Sequence, residues 1–371
     1  MPDALLLHGP DHGSHVRYEP FNGWLVPWRF SSFSEEYGAL RRSAGLIDYS
    51  TQALIEVAGA DRLEWLQRLL TNDVKRLTPG AGCRAALLTS TAKVIADLLV
   101  LADRQAIWLL CDAHRAAALA RALQSYLFSE EVRLINHERS VCVLALEGPK
   151  ALESLPALFG AATALPRRHD HCVVSSQGLD VRLINYSLTG SSGILCWCDA
   201  VHAPSVWKRL RASGRSLGLI VVGWEALNTA RIEAGLPWSG LDLNESNLLP
   251  ETGLETLLVS ETKGCYVGQE IVARMTTYGS ANKKLMGLRI QGKETPRPGD
   301  PLYRGDEAVG HVTSACFSPL LEQPIALGYV KRGAYDVGTS LEAVRGVSRL
   351  RAVVTRLDKI GYVSHFSAAG E

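Results

Sequence analysis

Hydrophobic and polar positions follow a repeating order of elements between about residues 50 and 215. A strand-like run at 53–57 is followed by an amphipathic segment at 61–70, whose leucines recur at helical spacing. Three strand-like runs and another helical segment come next, and the same order begins again at Val141. The further runs predicted as strands are 83–89, 94–101, 107–111, 141–146, 172–175, 179–184 and 194–198. We therefore predict an α+β fold of two related layers, each a sheet with helices on one face.

The helices are marked by residues at their ends. Glu35 and Glu36 follow Ser34 in the first turn of one predicted helix, where acidic side chains meet the positive end of the helix dipole, and Gly45 is predicted to end it. Pro149 suits the first turn of a helix over 150–158, and Asp112 is predicted to cap a helix over 114–127. The other predicted helices are 61–70, 205–212 and 223–235.

The periodicity changes near Leu285. Short alternating runs separated by Gly, Pro and Asp follow from there, and this spacing is typical of a small all-β sandwich or barrel. The runs are 285–290, 308–314, 325–330 and 349–356. We therefore place an antiparallel β-barrel over 286–371 and the α+β region, with the option that its two subdomains interleave, over 21–285.

The first 20 residues are predicted to form a mobile tail, because they are rich in Gly, Pro and polar residues. His8, His12 and His15 lie in this segment. A metal could bind them, but no cysteine or second histidine cluster accompanies them, and we predict no metal site.

Composition narrows the range of partners. The 371 residues are 47% hydrophobic, enough for a large core and two or three domains. With 39 Lys+Arg against 38 Asp+Glu, overall charge does not indicate direct nucleic-acid binding, although a local basic patch is compatible with it. No apolar run reaches the length of a membrane span, and the N-terminus lacks a secretion-signal pattern. The 8 scattered cysteines are therefore expected to be reduced, and the protein cytoplasmic.

The run 263–270, KGCYVGQE, is the strongest candidate for chemistry. Its two glycines allow a tight turn and a close approach of ligand to backbone. Cys265 lies close to Lys263 and just before a predicted helix at 269–274, and both features favour a thiolate. The alternative is a structural turn that contains a buried cysteine.

This run resembles the signature of the YgfZ-type family, which reads lysine, glycine, cysteine, aromatic, any, glycine, glutamine, glutamate. Residues 273–274 and 279–284 resemble the continuation of that signature. The resemblance implies a folate-binding protein that helps certain iron–sulfur proteins to mature, with a link to tRNA modification. It also implies that the cysteine at position 265 is functionally important.

Other segments resemble a related family, the glycine-cleavage T-protein or aminomethyltransferase. They read FNGW at 21–24, AGLID at 44–48, LLTNDV at 69–74, RIEAGL at 231–236 and TSACFSP at 313–319. Together these segments extend over most of the chain. The shared superfamily implies a three-part, ring-like arrangement with tetrahydrofolate, or a one-carbon derivative of it, bound near the centre.

Asp97 is the second candidate for chemistry. Alternation in 94–101 places it between Ile95 and Leu99 on one strand face, where a carboxylate is costly unless it is paired or used. It is either an acid satisfied at a sheet margin or a functional group. In aminomethyltransferases this strand carries two adjacent aspartates, one of which acts near the folate nitrogens. Here the pair is Ala96-Asp97, which weakens that resemblance.

A second departure concerns recognition of the pterin ring. The T-protein carries a threonine-glycine-glutamate run whose acid binds the pterin, whereas this chain has Ser191 after Thr189 and Gly190. A serine hydroxyl cannot accept two hydrogen bonds from an aminopterin edge as a carboxylate does. Another acid supplies that contact, or folate is held differently, or it is held weakly.

The resemblance also makes Arg231 and Glu233 candidate folate-site residues. They lie two positions apart on a predicted helix and so do not share a face; the alternative is a surface ion-pair network. Tyr266 could stack on a folate ring. The predicted catalytic residues are Cys265 and Asp97. The predicted cofactor-binding residues, lining a central cleft, are Asp97, Arg231, Glu233, Tyr266 and Lys263.

Three functions are compatible with these features. The first is a tetrahydrofolate-binding accessory protein for iron–sulfur cluster assembly or repair, with iron–sulfur client or assembly proteins as partners besides reduced folate. The second is an aminomethyltransferase of the glycine cleavage system. The third is a folate-binding scaffold or sensor without catalysis, so the sequence leaves open whether the protein is an enzyme.

Overall fold

The computed structural model describes residues 2–361 except positions 10, 14, 138, 161–164, 177, 278 and 280, so Ser280 of the signature continuation lies outside the described residues. The strands are β1 (Asp3–Ala4), β2 (Arg17–Phe21), β3 (Trp24–Arg29), β4 (Gly45–Asp48), β5 (Gln52–Ala58), β6 (Gly82–Leu88), β7 (Val94–Ala102), β8 (Ala106–Asp112), β9 (Arg133–Asn136), β10 (Val141–Glu147), β11 (His171–Ser176), β12 (Leu179–Asn185), β13 (Gly193–Asp199), β14 (Ile220–Val221), β15 (Lys283–Ile290), β16 (Pro301–Arg304), β17 (Glu307–Ser318), β18 (Gln323–Lys331), β19 (Ser340–Arg345) and β20 (Ser348–Thr355).

The α-helices are α1 (Phe33–Arg42), α2 (Arg62–Leu69), α3 (Ala113–Ser125), α4 (Leu155–Phe159), α5 (Ala203–Gly214), α6 (Trp224–Glu233), α7 (Glu255–Leu258) and α8 (Gln269–Thr277). The chain forms two compact units. Unit 1 comprises 1–90, 94–227 and 256–269, and unit 2 comprises 91–93, 228–255 and 270–371. In the described part of the chain, no helix is both long and apolar enough to cross a membrane.

The first sheet of unit 1 has the strand order β6-β7-β8-β5-β9 and is antiparallel throughout. Alternate residues of its strands pack with α2 and α3 in one buried cluster. Ala96, Leu98 and Val100 of β7 belong to this cluster, so the residues between them point to the opposite, helix-free face. Burial of one face by helices therefore fixes which side chains the other face presents.

The second sheet of unit 1 has the order β11-β12-β13-β10-β4-β14. Its helix-side face packs with α5 around Trp207, which is fully buried. Strand pairing in the two sheets does not follow the order of the chain. β4 precedes the first round of elements but pairs with β10 in the second sheet, whereas β9 follows α3 and pairs with β5 in the first.

The helix-free faces of the two sheets pack against each other. The rings of Trp108 in β8 and Trp197 in β13 lie 4.9 Å apart between centroids. The Arg182 guanidinium lies over both rings and donates to Asp103 at 2.7 Å. Unit 1 is therefore a sandwich of two sheets with helices on its outer faces, the two-layer α+β arrangement that the repeated element order predicts.

The N-terminal segment differs from the predicted mobile tail. Leu5 and Leu7 are buried, and β2 and β3 form an antiparallel hairpin. His12 is also buried, with its Nε2 atom 3.0 Å from Asp48 Oδ2 and its Nδ1 atom 2.9 Å from the Tyr18 hydroxyl. The segment is rich in turn residues, but its few apolar side chains and one histidine have specific partners elsewhere in unit 1. Sequence composition does not show such partners.

Two helix boundaries also differ from the predictions. Ser32 caps α1, with its Oγ accepting from Glu35 N, but Gly45 does not end this helix. Gly45 lies in β4 instead, where a β-carbon would stand 2.5 Å from Val222 Cγ2. The glycine is needed for close packing and not for a helix stop.

The predicted helix over 150–158 forms only at its end. Residues 148–154 are turns, and α4 begins at Leu155 with Pro156 in its first turn. Gly148 N donates to Ser192 O, and Lys150 N donates to Ser43 O. These contacts with distant segments hold the backbone around Pro149 in a turn, so the helix begins only at Leu155.

Unit 2 contains a closed antiparallel barrel with the order β15-β18-β17-β16-β19-β20. Alternating apolar residues of all six strands form its core. The predicted C-terminal barrel is therefore confirmed, and its first strand begins at Lys283. β16 and β19 were not predicted, because both are short and lie between turns.

Candidate functional site

Four polar side chains form a row across one end of the first sheet, on its helix-free face. Gln52 pairs with Asp112 in the β5–β8 ladder, and Gln52 Nε2 donates to Asp112 Oδ1 at 2.7 Å. The β7–β8 ladder ends at the pair Leu99–Leu110, and the same register continued by two positions would set Asp97 opposite Asp112. Asp97 Oδ2 accepts from Arg84 Nη2 on the adjacent strand β6. We call Gln52, Asp112, Asp97 and Arg84 the polar row.

The charges of the polar row are coupled. Burial alone would lower the pKa of Arg84, but the Asp97 carboxylate outweighs this effect and the pKa of Arg84 is raised, so the guanidinium stays charged. Burial raises the pKa of Asp112 to about 6, although the hydrogen bond from Gln52 lowers it, and the negative charge of Asp97 raises it further. Asp97 is thus paired with Arg84, whereas Asp112 is hydrogen-bonded to Gln52 and influenced by the charges of Asp97, Arg115 and Arg84.

Two tyrosines border the polar row. Burial raises the pKa of Tyr49, and the carboxylates of Asp112 and Asp97 raise it further. Burial raises the pKa of Tyr186 as well, partly offset by Arg84. Both remain neutral phenols at physiological pH. Tyr49 also stacks on Trp224, with ring centroids 5.5 Å apart, which fixes its orientation. Two neutral aromatic side chains therefore lie near the charges of the row.

A turn at 189–193 lies beyond the end of β12 and contains Ser191 in place of the expected acid. Ser191 is exposed. Glu147 is the acid that holds this turn: it accepts from Leu188 N at 2.8 Å, from Thr189 Oγ1 at 2.8 Å and from Ser187 Oγ at 3.1 Å. Burial raises the pKa of Glu147 to about 7. Its oxygens serve the turn and are not available to a ligand.

The neighbour of Asp97 explains one departure from the aminomethyltransferase pattern. Ala96 occupies the place of the second aspartate, and its side chain lies in the helix-side core at 2% exposure. Only the residue at position 97 faces the polar row. The missing second carboxylate would thus point into the apolar core and not into this site.

Lys263 has a structural partner in unit 1. Its Nζ donates to the carbonyls of Gln67, at 2.7 Å, Leu70, and Asn72, at 3.0 Å. These carbonyls lie at and just beyond the C-terminal end of α2, where a positive charge is favourable. Burial lowers the pKa of Lys263 to about 8. Its ammonium is directed at α2, so a cofactor contact for Lys263 stays a prediction.

Cys265 and Tyr266 follow Lys263 but differ in exposure. All 8 cysteines lie within the described residues, and Cys265 is the exposed thiol among them. A β-carbon at Gly264 would meet nothing within 4 Å, so one side of Cys265 is open. Tyr266 is buried, with Lys263 Nζ 5.4 Å from the centre of its ring. The predicted reactivity of Cys265 and ring stacking by Tyr266 stay predictions.

Arg231 lies in unit 2 and is fully buried rather than on the surface. It pairs with Asp242, donates to Asn228 Oδ1 at 2.9 Å and Leu236 O at 3.1 Å, and reaches Ser314 Oγ at 2.6 Å. Asp242 also accepts from Ser314 Oγ and from Thr313 Oγ1. Thr313 and Ser314 of the 313–319 run thus complete a buried hydrogen-bond network that the sequence analysis did not predict.

Glu233 has a similar environment in unit 2. It is 5% exposed, and its Oε1 accepts from Ser318 Oγ, the serine of the same run. A β-carbon at Gly361 would stand 2.3 Å from Glu233 O. The predicted site residues thus fall in both units, with Asp97, Lys263, Cys265 and Tyr266 in unit 1. Folate contacts for Arg231 and Glu233, and the central cleft, stay predictions.

A cavity of about 280 Å³ lies beside Gln52 in unit 1. The half-buried Trp24 and the exposed Arg139 line it, together with Ser50 and residues of β1. Gln52 contributes both to this cavity and to the polar row. The N-terminal segment therefore helps to shape the surroundings of the row.

Two family models match the chain. The GCVT N-terminal domain matches residues 8–262, and the glycine cleavage T-protein C-terminal barrel domain matches residues 283–358. The chain belongs to the glycine cleavage T-protein family. An aminomethyltransferase of Moorella thermoacetica is 32% identical over 94% of this chain and 97% of its own length. An aminomethyltransferase of Bacillus licheniformis is 32% identical over 91% of this chain and 92% of its own.

The fold agrees with a solved member of the T-protein family. The crystal structure of glycine cleavage system aminomethyltransferase T from Bartonella henselae matches with a TM-score of 0.88 at 24% identity, over 97% of this chain and 99% of that one. The T-protein superfamily prediction is thus confirmed. These relatives are named aminomethyltransferases and not YgfZ proteins, so the finer resemblance rests on the run 263–270 alone.

The candidate site contains residues that the sequence did not reveal. Arg84 and Asp112 lie on separate strands of the first sheet, whereas Tyr49 and Tyr186 follow β4 and β12 of the second sheet. Asp112 was predicted to cap α3, but its side chain makes no cap hydrogen bond. A polar residue at the end of an otherwise apolar strand was the available signal, and it was read as a local helix cap.

Proposed function

We propose that the protein is an aminomethyltransferase that moves a one-carbon unit from an aminomethylated lipoyl thiol to tetrahydrofolate. In this reaction the carbon exchanges its bonds to sulfur and to the amino nitrogen for bonds to two folate nitrogens. The two protons of those nitrogens end on the released thiol and on ammonia. The family relationship along most of the chain supports this proposal.

The observation that carries the proposal is the ion pair of Asp97 and Arg84 in the polar row. Arg84 Nη2 donates to Asp97 Oδ2, and the side chains of Asp97 and Arg84 are only 20% and 12% exposed. A carboxylate in such a place stabilises positive charge on a carbon or nitrogen much better than it does in water. It can also accept a proton as a folate nitrogen forms its new bond.

The absence of a second aspartate no longer counts against a transferase. Ala96 lies in the helix-side core, so the row keeps the one carboxylate that its strand can direct there. Ser191 still departs from the family pattern, and recognition of the pterin ring must depend on other groups.

The test separates binding from turnover. Calorimetry with tetrahydrofolate measures binding, and release of ammonia from an aminomethylated lipoyl carrier protein measures turnover. We expect Asp97→Asn to lower turnover by about 10²–10⁴-fold, with folate affinity changed much less. Asp103→Asn is the matched control, because Asp103 also pairs with an arginine of unit 1, Arg182, at 2.7 Å. Folate binding without ammonia release by the wild type would reject transferase activity.

A second candidate function is supported by Cys265. The exposed thiol in the run 263–270 favours a folate-binding accessory protein for iron–sulfur assembly or repair. In that case Cys265→Ser would fold and bind tetrahydrofolate normally but would fail to restore iron–sulfur enzyme activity in cells that lack the protein. Full restoration by Cys265→Ser, together with ammonia release by the wild type, would leave the aminomethyltransferase as the function.

A further inference from the structure

Under the proposed folate binding, the contact that Ser191 cannot make with the pterin edge would fall to another acid of unit 1. A 2-amino-4-oxo pyrimidine edge presents two adjacent N–H donors, and a carboxylate with a free oxygen is the group that binds such an edge. Glu147 contacts the segment around Ser191, but its oxygens already accept three hydrogen bonds from Ser187, Leu188 and Thr189. The substitute must therefore be an acid with hydrogen-bonding capacity left.

Asp112 meets this requirement. It occupies the N-cap position of α3 but does not cap the helix, so its carboxyl group is free for another partner. Gln52 Nε2 holds Oδ1 at 2.7 Å, and among the described residues no hydrogen bond reaches Oδ2. Gln52 thus orients the carboxyl group and leaves Oδ2 and the second lone pair of Oδ1 for the two donors of a ligand.

The surroundings of Asp112 also fit a reduced pterin. Asp97 and Arg84 of the polar row and Arg115 of α3 are the charged groups that influence Asp112. The charge of Asp112 raises the pKa of Tyr49, so the two side chains are near each other, and the Tyr49 ring is held by stacking on Trp224. Asp97 faces the same site from the next strand, so a ligand held at Asp112 would have a second carboxylate within reach. The two acids would then serve different parts of one ring system.

We infer that Asp112 is the specificity-determining acid of this site and binds the 2-amino-4-oxo edge of a reduced pterin in place of the acid missing at position 191. The inference rests on the proposed folate binding but not on transferase activity. It assigns recognition to Asp112 and chemistry to Asp97. Binding energy and turnover should therefore respond to different substitutions.

The duplicated element order offers a matched control. Asp199 ends β13 and precedes a helix as Asp112 ends β8 and precedes α3, and the two residues share similar backbone angles, φ −61° and ψ 142° against φ −61° and ψ 133°. Asp199 is exposed and makes no cap hydrogen bond either. Asp199→Asn therefore removes the same charge from the same kind of position, away from the polar row.

The experiment measures dissociation constants by calorimetry for tetrahydrofolate and for its 2-desamino analogue. We expect the wild type to prefer tetrahydrofolate by at least 10-fold. Asp112→Asn should weaken tetrahydrofolate binding by about 10–100-fold and largely remove the preference, because an amide group presents a donor where the ligand also has one. Asp199→Asn and Ser191→Ala should each change affinity by less than 2-fold.

The outcomes separate this inference from the proposed function. No binding of tetrahydrofolate by the wild type would reject folate binding itself, and the inference with it. Binding without preference for the 2-amino group would overturn the inference alone, without use of any variant. So would unchanged affinity in Asp112→Asn, or a loss in Ser191→Ala as large as that in Asp112→Asn.

Discussion

Two aspartate–arginine pairs in this protein use the same chemistry for different ends. Arg231 and Asp242 in unit 2 are both fully buried, and the guanidinium is surrounded by acceptors and by the ring of Trp238 at 4.6 Å. Arg84 and Asp97 in unit 1 are partly exposed and stand next to Asp112, another acid. A saturated pair stabilises a fold, whereas a pair with unused hydrogen-bonding capacity can bind and react. The two pairs therefore differ in how much of their hydrogen-bonding capacity is already used, and not in residue type.

The largest expected effect is on the saturated pair. Arg231→Ala should lower the free energy of unfolding by about 3–5 kcal/mol, because Asp242 would remain buried without its charge partner. Urea denaturation measures this loss. Arg356→Ala is the control, since Arg356 pairs with Asp358 on the surface of the same unit at 2.9 Å and should cost less than about 1 kcal/mol. Similar losses in both variants would contradict the structural role of Arg231.

The next effect concerns Lys263, which also makes a full set of hydrogen bonds. Lys263→Met keeps the aliphatic stem but leaves carbonyls at the end of α2 without a donor, and we expect a loss of about 2–3 kcal/mol. Lys75→Met is the control, because Lys75 pairs with Glu64 with both side chains 61% exposed. If thermal or urea unfolding shows no difference between these variants, Lys263 would be free to serve a ligand.

A smaller effect concerns the pH dependence of stability. Burial raises the pKa of Glu147 from 4.5 to about 7, so between these values the folded protein holds a proton that the unfolded chain releases. Stability due to this group is therefore present at low pH and is lost as pH rises through that range, by about 2–3 kcal/mol. Glu147→Gln should flatten this part of the stability curve. Glu153→Gln, at an exposed position, should leave the curve as in the wild type.

The smallest effect is expected for the unsaturated pair. Arg84→Ala should cost less than about 2 kcal/mol, because the Asp97 carboxylate that remains is 20% exposed, whereas Asp242 is fully buried. Its folate affinity or turnover should change much more than its stability. A loss of stability as large as that of Arg231→Ala would show that the polar row is structural, and the comparison between the two pairs would fail.

These two regions also show what the sequence could and could not predict. Strand and helix periodicity gave the two layers and the barrel, because each element buries one face and its alternation is local. The 313–319 run was recognised by its resemblance to the T-protein family. The partners of its serines, namely Arg231, Asp242 and Glu233, lie far away in the chain. Local patterns do not encode such partners, so the sequence offered a folate site or a surface ion-pair network for Arg231 and Glu233, and not this buried network.

Asp97 was found because a carboxylate interrupts an apolar strand, which is a local signal. Asp112 was not, because it ends its strand and so has an ordinary local explanation as a helix cap. Its role depends on Gln52, 60 positions earlier, and on the β7–β8 register. Sequence reasoning therefore located one residue of the polar row and missed those that only strand pairing brings to it.

The pairing of β4 with β10, a strand much later in the chain, has a consequence for synthesis on the ribosome. β4 is fully buried in the second sheet between β10 and β14, yet Val141 of β10 follows Asp48 by 93 positions. At about 5–20 residues per second, the nascent chain must wait about 5–20 s before β4 can find its main partner. During that interval the first sheet can form, while an apolar strand stays unpaired. We expect nascent chains that end between these strands to bind chaperones, and those that extend beyond β10 to be released.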